Sequence, residues 1–135
     1  MSTEENKTLV RKFYAAFEGP DQDSLQTILA EDLVAYNPNP QNLQEHLAGI
    51  RGWNQIFSDN HFEILEQVAE GETVVSHVVM RCKHTKTAFQ NIPPTGKMLE
   101  IGALSLERLR DGRIVERRVF SDRLGMLRQI GVIPS

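Results

Sequence analysis

The spacing of apolar residues changes near Phe62, and that change bounds the fold. Before Phe62 they recur three and four apart; from Phe62 onward they nearly alternate, in runs around 62–69, 73–82, 97–109 and 113–121. Helices therefore lead and strands follow, which is the order of an α+β fold rather than of a parallel sheet. In the helical part, Ser2 can cap a helix with Glu5 three residues on, and Leu9, Val10, Phe13, Tyr14 and Phe17 form its apolar face. Gly19-Pro20 ends it. Asp21 or Asp23 can cap a short second helix bearing Leu25, Ile28 and Leu29. Leu33-Val34-Ala35-Tyr36 is a brief extended piece stopped by Asn37-Pro38-Asn39-Pro40. Leu43, Leu47, Ile50 and Phe57, with Trp53 nearby, predict a third helix despite Gly49 and Gly52.

In the strand part, Glu70-Gly71-Glu72 and Arg110-Asp111-Gly112-Arg113 carry the φ-permissive residue of a tight hairpin, so neighbouring strands should pair antiparallel. Pro93-Pro94-Thr95-Gly96 makes another reversal. Leu124, Met126, Leu127 and Ile130, closed by Gly131, predict a short C-terminal helical turn. A curved antiparallel sheet of about four long strands has one face to cover, and three amphipathic helices can close it into an open cone. The expected architecture is thus a cone-shaped α+β roll whose apolar interior suits a small hydrophobic molecule.

Composition narrows the function classes. The 135 residues carry 15 Lys+Arg against 18 Asp+Glu, a net charge of -3, with no basic run longer than Arg117-Arg118. That balance lacks the electrostatic footprint of a nucleic-acid binder. One domain over residues 1–135 is expected, large enough for a core without disulfides or structural metal. No signal peptide or membrane-spanning stretch is read, and the single cysteine, Cys82, fits a cytoplasmic location and a buried, inert thiol. His46 and His61 lack ligand-spaced partners and read as solvated, while His77 and His84 point to opposite strand faces, so no metal and no organic cofactor is expected.

Strand alternation places Glu116, Arg118, Phe120 and Asp122 on one side, and Val115, Arg117, Val119 and Ser121 on the other. If Asp122 faces the interior, Arg118 and Phe120 face it too. Asp122 equally suits the N-cap of the turn beginning at Arg123. Tyr14, Tyr36 and Trp53 are aromatic candidates for a pocket wall, and Tyr36-Asn37 for its polar end. Val115, Val119 and part of the Val74–Met80 run would leave an apolar sheet face for a second copy of the chain, so a homodimer is expected.

Six segments together resemble one family. Leu9-Val10-Arg11-Lys12-Phe13-Tyr14, Asp32-Leu33-Val34, His84-Thr85, Ile92-Pro93-Pro94-Thr95-Gly96-Lys97, Asp111-Gly112-Arg113-Ile114-Val115-Glu116 and the Asp122–Gly131 stretch are similar to the SnoaL-like polyketide cyclases of the nuclear-transport-factor-2-like superfamily. The resemblance implies an α+β roll and a cofactor-independent aldol-type ring closure. It also implies Asp122 as the acid/base and His84 as a histidine near the pocket. Arg118 stands where many relatives have an aromatic residue, Tyr36-Asn37 where a His-Asp pair is frequent, and His77 where an arginine is usual. Three readings follow: an enzyme with Asp122 and His84 catalytic and Tyr14, Tyr36, Asn37, Trp53, Arg118 and Phe120 on the substrate; a non-catalytic ligand-binding module; or a protein-interaction domain.

Overall fold

The computed structural model describes residues 1–19 and 22–134. Helix α1 (Thr3–Glu18) starts at the expected capping box, Ser2 accepting from the Glu5 amide and Glu5 from the Ser2 amide. It buries Val10, Phe13 and Tyr14. The single turn α2 (Leu25–Ile28) has Ser24 at its N-cap rather than Asp23, and Asp21 and Pro20 lie outside the described residues. Strand β1 (Leu29–Tyr36) and the two-residue β2 (Pro40–Gln41) precede α3 (Leu43–Ile56), which Asn42 and Glu45 cap reciprocally. Phe57, expected on that helix, instead opens β3 (Phe57–Glu70) with extended backbone, its amide still bonded to the Trp53 carbonyl. Strands β4 (Thr73–His84), β5 (Met98–Arg110) and β6 (Arg113–Ser121) follow, then α4 (Arg123–Ile130).

The sheet has six strands in the order β2-β1-β6-β5-β4-β3. All neighbours are antiparallel except β1 and β6, so the sheet is mixed, a parallel pairing that the run of hairpin signals did not reveal. The β5–β6 hairpin turns through Asp111 (φ 52°) and Gly112 (φ 75°), the two positive values a tight two-residue turn demands. Register shifts at Ser58/His61, Ile64/Glu66 and Arg108/Leu109 mark bulges, which bend and twist the strands so that the sheet curves around the helices.

Two apolar clusters fill the concave side. The larger packs α1, α2 and α3 on the sheet through Val10, Phe13, Leu25, Leu33, Leu47, Ile50, Val74 and Ile114. The smaller joins α4 to β3, β4 and β5 through Phe57, Cys82, Leu99, Ile101, Met126 and Ile130. Between them the concave face opens to solvent. No helix among the described residues is long and apolar enough to cross a membrane.

Candidate functional site

The bulge at Arg108/Leu109 decides what β6 shows to the interior. Leu109 faces Ile114, Arg108 faces Glu116, and Val115 is the extra residue, so from there Arg117, Val119 and Ser121 point inward. With Phe17, Asn37, Trp53, Met80, Phe89, Ile101, Ala103, Arg123 and Met126 they line a cleft of about 290 Å³. The volume lies at the small end of ligand pockets, enough for a ligand of a few fused rings held partly in the mouth. Its walls are mostly apolar, with Asn37, Ser121 and two arginines supplying polarity.

Arg117 reaches the cleft floor while remaining 5% exposed. Such a cation is tolerable only if paired. Glu107, directly across the β5–β6 ladder and fully buried, puts Oε2 3.0 Å from Arg117 Nε. That contact lies outside hydrogen-bond geometry, so charge rather than a shared proton holds it. Arg117 Nη2 donates to the Tyr14 hydroxyl at 3.0 Å, Tyr14 donates to Ser105 Oγ at 2.7 Å, and Ser105 donates to Glu107 Oε1 at 3.1 Å, closing a ring of four side chains. The guanidinium also covers the Phe13 ring at 4.3 Å. Burial pushes the Glu107 carboxyl up against the pull of Arg117, and it pushes the Tyr14 phenol up as well.

His46 joins this group from α3. Its ring lies parallel to Phe13 with centroids 6.3 Å apart, and it is buried, not solvated as its sequence position suggests. Nδ1 lies 3.4 Å from Gln41 Oε1, while Nε2 has no partner among the described residues. Burial, aided by Arg117, lowers its pKa to about 3, so the ring is neutral.

Several expected site residues lie elsewhere. Arg118 and Phe120 face away from the cleft, because the concave parity of β6 belongs to Arg117 and Val119. Phe120 is 72% exposed, and Arg118 stacks 3.9 Å over the Tyr36 ring and pairs with Glu116 at 3.0 Å rather than with Asp122. Tyr36 is on that outer face too, opposite Arg118 in the β1–β6 ladder. Val119, expected outside, lines the cleft, and Val34, Val68, Met98, Leu104 and Phe120 are among the apolar residues that the outer face exposes. Tyr14 stands behind Arg117 and is not part of the wall.

Asp122 sits at the rim between two lining residues, Ser121 and Arg123, yet its own carboxylate is exposed and turned to the helix: Oδ1 accepts the Gly125 amide at 2.9 Å. A Cβ on residue 125 would overlap that carboxylate, which gives the glycine of the Asp-Arg-Leu-Gly segment its physical reason. His84 is fully buried and is a clasp, not a wall. Nε2 donates to the Thr87 carbonyl at 2.8 Å and Nδ1 accepts the Thr95 amide at 3.3 Å, tying both ends of the 85–96 loop that carries Phe89 into the cleft. Asn37 and Trp53 do line it. The Cys82 thiol is buried and pushed up to about 12 by desolvation, hence inert. No group of three or more His, Cys, Asp or Glu that could hold a metal occurs among the described residues.

Sequence reasoning missed Glu107, Ser105 and His46, and it placed no function on Arg117. The available signal was the odd-numbered apolar series Leu99, Ile101, Ala103 and Leu109, which puts Ser105 and Glu107 on the inner face of β5.

Residues 7–130 match the SnoaL-like polyketide cyclases. The chain belongs to that family. Among solved structures it is similar to IdmH of Streptomyces antibioticus, described as a candidate polyketide cyclase, with 28% identity, a TM-score of 0.84, and 93% of this chain and 98% of that one covered. AclR of Streptomyces galilaeus, described as a candidate hydroxylase, superposes with a TM-score of 0.91 at 23% identity, covering 99% of this chain and 85% of that one. TsrD of Streptomyces laurentii gives 0.87 at 22% identity over 98% and 99% of the two chains. At these lower identities the likeness is one of fold. A search of the curated proteins finds no match.

Proposed function

We propose that the protein is a cofactor-independent acid/base enzyme acting on a small, carbonyl-bearing, polyketide-like hydrophobic ligand, by aldol-type closure, isomerisation or related chemistry. The observation that carries this reading is Arg117: a cation fixed by Glu107 and Tyr14 at the floor of an apolar cleft. A ligand carbonyl seated there gains negative charge when an adjacent C–H loses its proton, and a preorganised, largely buried cation stabilises the enolate oxygen. Asp122, at the rim, is the base once its carboxylate turns from the Gly125 amide toward the mouth, and the proton it takes returns to the product. In this reading His84 is a positioning residue that acts through Phe89. The likeness to IdmH supports the class of ligand.

A second reading, a binding module without turnover, is favoured by one observation: the Asp122 carboxylate already has a structural task, in water. Exchange of the α-protons of 2-tetralone in D2O, followed by NMR, separates the two. The enzyme reading expects catalysed exchange that falls about 10²–10⁴-fold in Asp122→Asn, the range for losing a general base, with tetralone affinity kept. Binding with exchange no faster than buffer leaves only the module.

A second copy of the chain is the partner we place on the outer sheet face. Leu104 and Phe120 are opposite one another in the β5–β6 ladder and both are largely exposed. Ion pairs of mixed sign flank them, Arg108–Glu116–Arg118 farther along the same two strands toward their hairpin and Glu63–Arg81–Glu100 toward the β3 edge. A surface with an apolar centre and both charges at each side can complement itself under a twofold axis.

A further inference from the structure

Among the described residues the cleft contains two arginines and no acidic side chain. Arg117, on the floor, is matched by Glu107 behind it. Arg123, at the mouth, makes no ion pair or hydrogen bond among the described residues, and the carboxylate just before it in the chain turns to the Gly125 amide. The two cations therefore differ in what they offer. Arg117 is a neutralised donor, suited to a carbonyl or enolate oxygen, whereas Arg123 is an exposed charge with no ion pair among the described residues, on the same cleft as Ser121 and Asn37.

We infer that the ligand is an acid: a keto acid whose ring system fills the apolar part of the cleft, with its ketone on Arg117 and its free carboxylate on Arg123 at the mouth. The inference rests on the ligand-site reading above and sharpens its substrate class from any carbonyl compound to a carboxylate anion. A guanidinium recognises a carboxylate through two parallel N–H bonds, and esterification removes both the charge and one strong acceptor. The partly open mouth keeps the anion near water, so its desolvation is incomplete while the ring system is buried. Met80, Ile101, Val119 and Met126 give the rings apolar contact, and Trp53 and Phe89 give them flat walls.

The test is calorimetric titration of the full chain with 6-acetyl-2-naphthoic acid and with its methyl ester. The acid is expected to bind about tenfold tighter than the ester, as one charge-assisted contact implies. That preference should disappear in Arg123→Gln, persist in part in Arg123→Lys, and shrink in 0.5 M NaCl, about the condition that screens an exposed charge. Arg123 is exposed at the first turn of α4, so its variants retain the core; circular dichroism confirms this. Equal binding of acid and ester, or a preference that survives Arg123→Gln, overturns the inference while leaving the ligand site standing. Failure of both compounds to bind at millimolar concentration overturns the ligand site as well.

Discussion

Glu107 and Arg117 face each other across the β5–β6 ladder, Oε2 3.0 Å from Nε, on the concave side of the sheet where neither meets bulk water. A buried pair of this kind contributes little net stability against an apolar pair of similar volume, but losing one member leaves a stranded charge. Glu107→Leu should cost about 3–5 kcal/mol, whereas Glu107→Leu with Arg117→Met should cost far less than the sum of the two singles. Urea melts of the singles and the double check this; additive losses would mean that the pair is not coupled.

A cap that excludes a side chain gives the second prediction. In Gly125→Ala the new methyl overlaps the Asp122 carboxylate, so the cap must open. The loss should be about 1–2 kcal/mol, the value of a helix N-cap, while Asp122→Asn keeps an acceptor and should stay within a few tenths of a kcal/mol of wild type. Thermal unfolding of both variants is sufficient.

How far the sequence carries can be seen at these residues. The first capping box, the hairpin glycine and the C-cap glycine are local signals, and each appears in the structure at its expected place: Ser2–Glu5, Asp111-Gly112 and the Gly131 C-cap (φ 93°), whereas the switch from helix to strand comes at Phe57 rather than at Phe62. The parallel β1–β6 pairing is a long-range choice with no local mark. Which face of β6 is concave depends on partners in another strand, and Leu104 and Leu106 read as core from their own segment although they point outward. The parity was thus legible but its sign was not, which moved Arg118 and Phe120 out of the site and Arg117 into it. Asp122 had two roles open to it in sequence, and the Gly125 contact shows the structural one directly.

His46 makes acid stability a measurable consequence. Its pKa in the folded chain is lowered to about 3, against an ordinary 6.5. Between these values the unfolded chain binds the proton and the folded chain does not, so stability falls as pH drops from 6.5 toward 3 and rises with pH across the same window. Arg117 is the charged group that acts on the ring, and Glu107 pairs with Arg117, so comparing variants isolates the histidine. His46→Leu should flatten that limb by up to about 1.4 kcal/mol per pH unit. Urea midpoints from pH 7 to 4 for both proteins give the slope; parallel curves would show that the ring is protonated in the folded state.

The His84 clasp predicts local rather than global loosening. In His84→Ala the Thr87 carbonyl and Thr95 amide lose their partner, so amides of 85–97 should exchange faster than in wild type while those of β4 and β5 centres hold. Hydrogen-exchange mass spectrometry resolves the segment. Ligand affinity should fall with it, because Phe89 rides on that loop.

Self-association through the outer face is tested by Phe120→Glu. The side chain is 72% exposed in the single chain, so the change should leave folding intact. Sedimentation equilibrium should show the wild type as a dimer and the variant as a monomer. A wild-type monomer at about 100 μM, a concentration at which even a modest interface associates, would reject the face as a self-contact.

The claim on which the functional account stands is that the cleft under β6 receives the ligand. The chain has one tryptophan, Trp53, on that wall, so its indole N–H gives a single NMR signal from the site. Titrating 2-tetralone into isotope-labelled protein should shift that signal together with the amides of Phe89, Val119, Ser121 and Met126, saturably and with one dissociation constant. Shifts confined to Leu104, Phe120 and their neighbours on the opposite face, or no saturable shift at Trp53, would contradict it.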